Sequence, residues 1–145
     1  MPQLKISTQF ATTHAHLPSK LQLKKWAKAA LRVETEVTIR IVDEHEARAL
    51  NSQYRGKDYA TNVLTFPITE SPILMGDIVI CAPVVAAEAI AQNKSITEHF
   101  AHLTVHGMLH LSGFDHETEP QAELMEALEV QILAKLGYAN PYLVT

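Results

Sequence analysis

A chain of 145 residues suits a single domain, because one core usually serves about 100–200 residues. With 47% apolar and 19% charged residues, the composition is globular and excludes a disordered or collagen-like chain. The net charge of −4 argues against a protein that coats nucleic acid by bulk charge, and leaves room only for a local basic face.

In chain order, Leu4 to Ser7 alternates as a short strand. Ser19 is placed to cap a helix from Lys20 to about Arg32, with an apolar stripe of Leu21, Leu23, Trp26, Ala27, Ala30 and Leu31. Glu36 to Val42 is a strand, and Asp43 is placed to cap a helix from Glu44 to about Tyr54. Asn62 to Phe66 is a short strand expected to stop at Pro67. Gly76 to Cys81 is a strand whose continuous apolar run predicts burial on both faces. Pro83 starts a helix to about Asn93. Ser95 and Glu98 form a capping box for a helix to about Leu111, ended by Gly113. Thr118 opens a last helix, with Leu124, Met125, Leu128, Ile132 and Leu136 on one stripe and Gly137 at its end.

This order predicts an α+β fold of mixed α/β layers: a four-stranded mixed sheet with about five helices packed on it. Without repeats or linkers, residues 1–145 read as one domain. Cys81 stands alone, which excludes a disulfide framework and fits a reducing compartment. No apolar run follows the N-terminal Met1 to Lys5, and the stretch from Ile78 to Ala87 falls short of the about twenty residues of a membrane helix. A cytoplasmic protein with no membrane partner is expected.

Eight histidines are present, and their placement carries the chemistry. His102, His106 and His110 recur at i, i+4, i+8, along one helix stripe. Gly113 then supplies a left-handed turn, and His116 follows where the reversed chain can bring a third imidazole to the first two. A lone helical histidine is more often a core or surface residue, but the full spacing His106-x3-His110-x2-Gly113-x2-His116 describes a three-ligand metal site with an open position, as catalytic zinc has. Metzincin peptidases share the spacing, yet where they carry a general-base glutamate this chain has Gly107. Three neutral imidazoles leave the ion its full charge, which favours an anionic substrate such as a phosphodiester and a bound water of pKa near ~7.

Arg55, just after the second helix, is a candidate phosphate clamp, its alternative being a surface arginine at a helix end. His102 is a candidate second partner or proton shuttle, or else a buried, hydrogen-bonded histidine. Asp115 is placed either to fix a ligand tautomer or to bond its own backbone in a turn. The lysines from Lys20 to Lys28, with Arg40, Lys57 and Lys94, form either an RNA-facing surface or a solvated one. Phe and Tyr are scattered singly, with no stacking motif of the RNA-recognition type.

The segment His106-Gly107-Met108-Leu109-His110-Leu111-Ser112-Gly113-Phe114-Asp115-His116 resembles the H-G-x-L-H-L-x-G-[YF]-D-H signature of the YbeY endoribonucleases. Upstream, Asn51 to Pro67 is similar to that family's N-x2-[YF]-R-x-x-D-x2-T-D-V-L-S-F-P stretch. Gly76-Asp77-Ile78, Met125-x3-Glu129 and Leu136-Gly137 match further parts of its pattern. The resemblance implies a single-strand-directed, metal-dependent endoribonuclease of the bacterial cytoplasm. It implies a role in ribosomal RNA maturation, chiefly at the small-subunit 3′ end, and in ribosome quality control. It places a zinc or other divalent ion on His106, His110 and His116, catalysis on Arg55, and partners in the small ribosomal subunit and the GTPase Era. Asn62 and Thr65 depart from the family's usual Asp and Ser. If that Asp orients Arg55 by ion pairing, the arrangement is weakened here. The alternatives are a metzincin-like metallopeptidase and a non-catalytic, zinc-stabilised ribosome assembly factor.

Overall fold

Alternating β-branched residues and capped amphipathic runs become four strands and five helices in a computed structural model that describes residues 1–143. The order is β1 (Leu4–Ala11), α1 (Lys20–Ala29), β2 (Thr35–Val42), α2 (Glu44–Arg55), β3 (Val63–Thr69), β4 (Leu74–Cys81), α3 (Ala82–Ala91), α4 (Ile96–Leu111) and α5 (Glu119–Lys135). The strands form one sheet in the order β1-β2-β4-β3, parallel except for the antiparallel β3–β4 pair. The α+β architecture expected from the sequence is the one found.

Two cores lie on opposite faces of the sheet. Val37, Ile39 and Ile41 of β2 and Ile78 and Ile80 of β4 join the larger one, with Leu23 and Trp26 of α1, Val85 of α3, Phe100 and Leu109 of α4, and Met125 and Leu133 of α5. Val42, Leu64, Val79 and Cys81 meet Ala47 of α2 on the other face. Burial of Ile78, Val79, Ile80 and Cys81 together follows from this sandwiching, as their unbroken apolar run predicts.

Pro67 does not end its strand. β3 continues to Thr69, with Pro67 opposite Gly76 and a register shift between Pro67 and Thr69. Because β3 is an edge strand, proline's missing N–H breaks no ladder that the sheet depends on. β1 likewise runs on to Ala11, in parallel register with Thr35–Val42. α1 stops earlier than expected, at Ala29.

The caps show which sequence signals are physical. Ser19 with Gln22, and Thr118 with Gln121, form reciprocal capping boxes. Ser95 accepts the Glu98 N–H at 3.0 Å, but the Glu98 carboxylate takes the Ser95 hydroxyl rather than its backbone N–H. Asp43 makes no side-chain cap; its carboxylate instead accepts the Thr12 hydroxyl.

Candidate functional site

α4 is the central helix of the larger core, and most of its residues are buried. Its one less apolar edge carries His102, His106 and His110, each partly exposed. Gly113 leaves the helix with φ of 102°. A side chain would meet nothing within 4 Å there, so the left-handed backbone rather than space calls for glycine. Phe114 then packs on the core, with the Arg32 guanidinium 5.1 Å from its ring centre. The Asp115 carboxylate accepts the His116 N–H at 2.7 Å. Helix, glycine turn and Asp turn together bring His116 back to His106 and His110.

Ring centres lie 6.2 Å apart for His106 and His110, 5.5 Å for His106 and His116, and 5.8 Å for His110 and His116. Candidate ligand atoms of His110, Asp115 and His116 all lie within 4.8 Å of one another, a set that His106 does not join. Imidazoles on a tetrahedral ion, with metal–nitrogen distances of about 2.0–2.1 Å, would place ring centres roughly 5 Å apart. The three histidines are therefore within a small side-chain adjustment of such a geometry, and their donor chemistry suits zinc or a neighbouring divalent ion. Asp115 lies 3.8 Å from the His116 Nδ1, too far for a hydrogen bond. It acts as the turn residue and adds one carboxylate beside the cluster.

Behind the cluster stands a residue that the sequence shows only as part of the Met125-x3-Glu129 pattern, with no role attached. Glu129 of α5 is fully buried. One of its oxygens meets the His106 Nδ1 at 2.5 Å, and the other meets the His102 Nε2 at 3.1 Å and accepts the Tyr142 hydroxyl. Burial alone would raise its pKa, but the hydrogen bonds from His102, His106 and Tyr142 outweigh this and hold it at about 2. A carboxylate on the Nδ1 side fixes the His106 tautomer and leaves its Nε2 as the free ring nitrogen. His102 does not join the three-ring cluster; it shares Glu129 with His106. The Tyr142 hydroxyl is pushed upward by burial and by Glu129. A legible signal was present: Met125, Glu129 and Leu133 are buried at i, i+4, i+8, so a glutamate stands on the apolar stripe, whereas the expected stripe member Leu124 is 55% exposed.

His110 and His116 open into a groove of about 850 Å³ that Arg55, Tyr54, Phe66 and Val79 also line. Arg55 is exposed at the end of α2, where Gly56 (φ 68°) stops the helix, and among the described residues it has no carboxylate partner. Arg40, the other guanidinium in the groove, is committed to Glu46 through two hydrogen bonds of 2.6 and 2.8 Å. Those bonds raise the Arg40 pKa and lower that of Glu46. Asn62 does not approach this arrangement: its amide donates to Glu88 at 3.0 Å, and Glu88 also meets the buried His99 at 2.8 Å. An Asp at 62 would face a carboxylate there.

Gly107 bears on the peptidase alternative. A side chain at that position would begin 3.0 Å from Ile78 of β4, and the position is buried. A general-base glutamate there would press its Cβ against Ile78 where this helix meets the sheet.

Fold and site together define an α+β protein with a three-imidazole cluster at one end of an open groove. The family model for endoribonuclease YbeY matches residues 5–137. A Methylobacillus flagellatus protein named endoribonuclease YbeY is 60% identical over 142 residues, covering 98% of this chain and 95% of that one. An Aromatoleum aromaticum protein of the same name is 58% identical over 132 residues, covering 91% of this chain and 86% of its own. A Thermotoga maritima protein with a known solution structure superposes with a TM-score of 0.56 at 25% identity, over 93% of this chain and 92% of that one. The chain belongs to the YbeY family. Among the described residues, no helix is long and apolar enough to cross a membrane.

Proposed function

We propose that this chain is a metal-dependent endoribonuclease that cleaves single-stranded RNA by hydrolysis, with His106, His110 and His116 holding one divalent ion, zinc by preference. The observation that carries this reading is the convergence of three imidazoles at one end of a groove that also holds an uncommitted arginine. A bound divalent ion supplies charge neutralisation and acidification of a coordinated water. The chain's own residues do the rest. Glu129 holds His106 in one tautomer, and the Asp115 turn fixes the backbone of His116. Arg55 pairs with phosphoryl oxygens and offsets charge that develops in the transition state. Arg40 stays with Glu46 and leaves that task to Arg55.

The family likeness supports the finer assignment. The substrate is ribosomal RNA, chiefly the 3′ end of the small-subunit species, and the setting is ribosome biogenesis and quality control in the cytoplasm. The partners are the small ribosomal subunit and the GTPase Era.

Metal content and RNA cleavage measured together on the wild type, His116→Ala and Arg55→Ala test the proposal. His116→Ala is expected to lose metal and activity. Arg55→Ala is expected to keep metal and lose about 10²–10³-fold in turnover, as removal of one charge-stabilising donor does. Equal RNA cleavage by all three would overturn the enzyme reading, and a protein that binds metal and pre-ribosomal RNA without cutting would be an assembly factor.

A further inference from the structure

Tyr54 and Arg55 are neighbours at the last turn of α2. Tyr54 is 60% exposed, so core burial does not fix its ring. What holds it is Phe66 of β3, whose ring centre lies 5.1 Å away in an edge-to-face arrangement at 66°, the geometry that aromatic quadrupoles prefer. In the sequence the two rings are far apart and read as isolated aromatics. The packing of α2 on the sheet makes them a pair.

Both rings line the groove that contains Arg55, His110 and His116, and the groove continues over apolar Leu64 and Val79. A phosphate needs the arginine and the imidazoles and has no use for an exposed aromatic face. A nucleotide presents an anion and a flat apolar base within one repeat, and this groove offers a partner for each. We infer that Tyr54, buttressed by Phe66, is the stacking platform for a nucleobase beside the phosphate that Arg55 holds; the inference rests on the endoribonuclease reading. Every base has a π-face, so the platform tolerates any sequence. A base within a duplex is stacked on both sides, so the platform selects unpaired RNA. Tyr54 is thus a specificity-determining residue for single strands.

The test compares the wild type, Tyr54→Ala and Tyr54→Phe on an unstructured RNA oligonucleotide. A second readout uses the same oligonucleotide with 2-aminopurine at successive positions, its fluorescence read before cleavage has proceeded. Alanine is the best helix former and the site is exposed, so Tyr54→Ala keeps the fold, checked by an unchanged thermal melt. Tyr54→Ala is expected to raise KM about tenfold or more with little change in kcat, as loss of one stacked base does. It is also expected to abolish fluorescence quenching at the one position where the wild type quenches. Tyr54→Phe, which keeps the ring, should recover most of both. An abasic residue at that position should remove the difference between wild type and Tyr54→Ala. Unchanged KM and unchanged quenching in Tyr54→Ala would overturn the platform and leave the nuclease reading standing. A wild type that cuts no RNA, yet quenches through Tyr54, would overturn the nuclease reading alone.

Discussion

Glu129 occupies a position where α5 otherwise presents Met125 and Leu133 to the core, and it is completely enclosed. A buried carboxylate costs several kcal/mol unless its oxygens are satisfied. Here His102, His106 and Tyr142 satisfy them. The gain is a fixed tautomer at His106, which leaves Nε2 available to the proposed metal site. Glu129→Gln keeps the shape but offers one acceptor oxygen and an amide that clashes in sign with an N–H donor. Metal affinity should fall about 10–100-fold, the usual cost of losing such a supporting group, as read by competition with a chromophoric chelator. An unchanged affinity would remove Glu129 from the site. Asn62 shows the opposite logic, since its amide donates to Glu88. Asn62→Asp would set two carboxylates against each other and should destabilise the fold by about 1–3 kcal/mol near pH 7.5 in urea unfolding. The deficit should shrink near pH 5, where one carboxyl can protonate. An equal deficit at both values would exclude charge repulsion as its source. The approach of the three histidines is legible because a four-residue step on a helix and a turn glycine are local. Glu129 is visible in the sequence only as a glutamate on an apolar stripe, and Tyr142 not at all as a partner, because their roles depend on which helix faces α4, and only packing decides that.

The same division holds for whole elements. Element order, the central strands and the caps at Ser19, Ser95 and Thr118 could be read from periodicity and cap residues, whereas Asp43 turned to Thr12 instead of its helix. Strand ends could not, because pairing sets them: β1 extends to Ala11 alongside β2, and β3 passes through Pro67 because it lies at the edge. The contact between α4 and β4 is a further property of two elements that one sequence window does not reveal. Gly107 meets Ile78, and Gly76 would meet Leu111 at 2.6 Å if it carried a side chain. Glycines on each element thus let helix and strand approach closely. Gly107→Ala gains helix propensity of about 1 kcal/mol but forces a methyl against a β-branched side chain on the sheet. Overpacking of this kind typically costs about 1–3 kcal/mol, so the substitution should lower stability despite the better helix former. It should also displace His106, which is adjacent, and weaken metal binding. A melting temperature at or above that of the wild type would show that the contact has slack.

Across the molecule, α4 ties together two histidine–carboxylate groups, one in which Glu129 is the buried member and one in which His99 is buried against Glu88. The second gives global stability a defined dependence on pH. Burial pushes the His99 imidazole below its ordinary value of 6.5, against the upward pull of its hydrogen bond to Glu88, and Lys94 adds to the depression. Once the pH falls below about 6.5 the unfolded chain takes up a proton at His99 that the folded chain refuses. Stability contributed by neutral His99 is therefore complete above that pH and is lost as the pH falls toward the folded-state value. The slope for this one proton is at most about 1.4 kcal/mol per pH unit. His99→Gln keeps a donor for Glu88 but cannot titrate. Urea unfolding in excess chelator, from pH 7.5 to 5, should show the wild type losing stability more steeply than His99→Gln. Chelation removes proton-linked metal release from both curves, so the difference in slope isolates His99. Parallel curves would mean that His99 titrates alike in folded and unfolded chains, and that its burial against Glu88 leaves no mark on the pH dependence of folding.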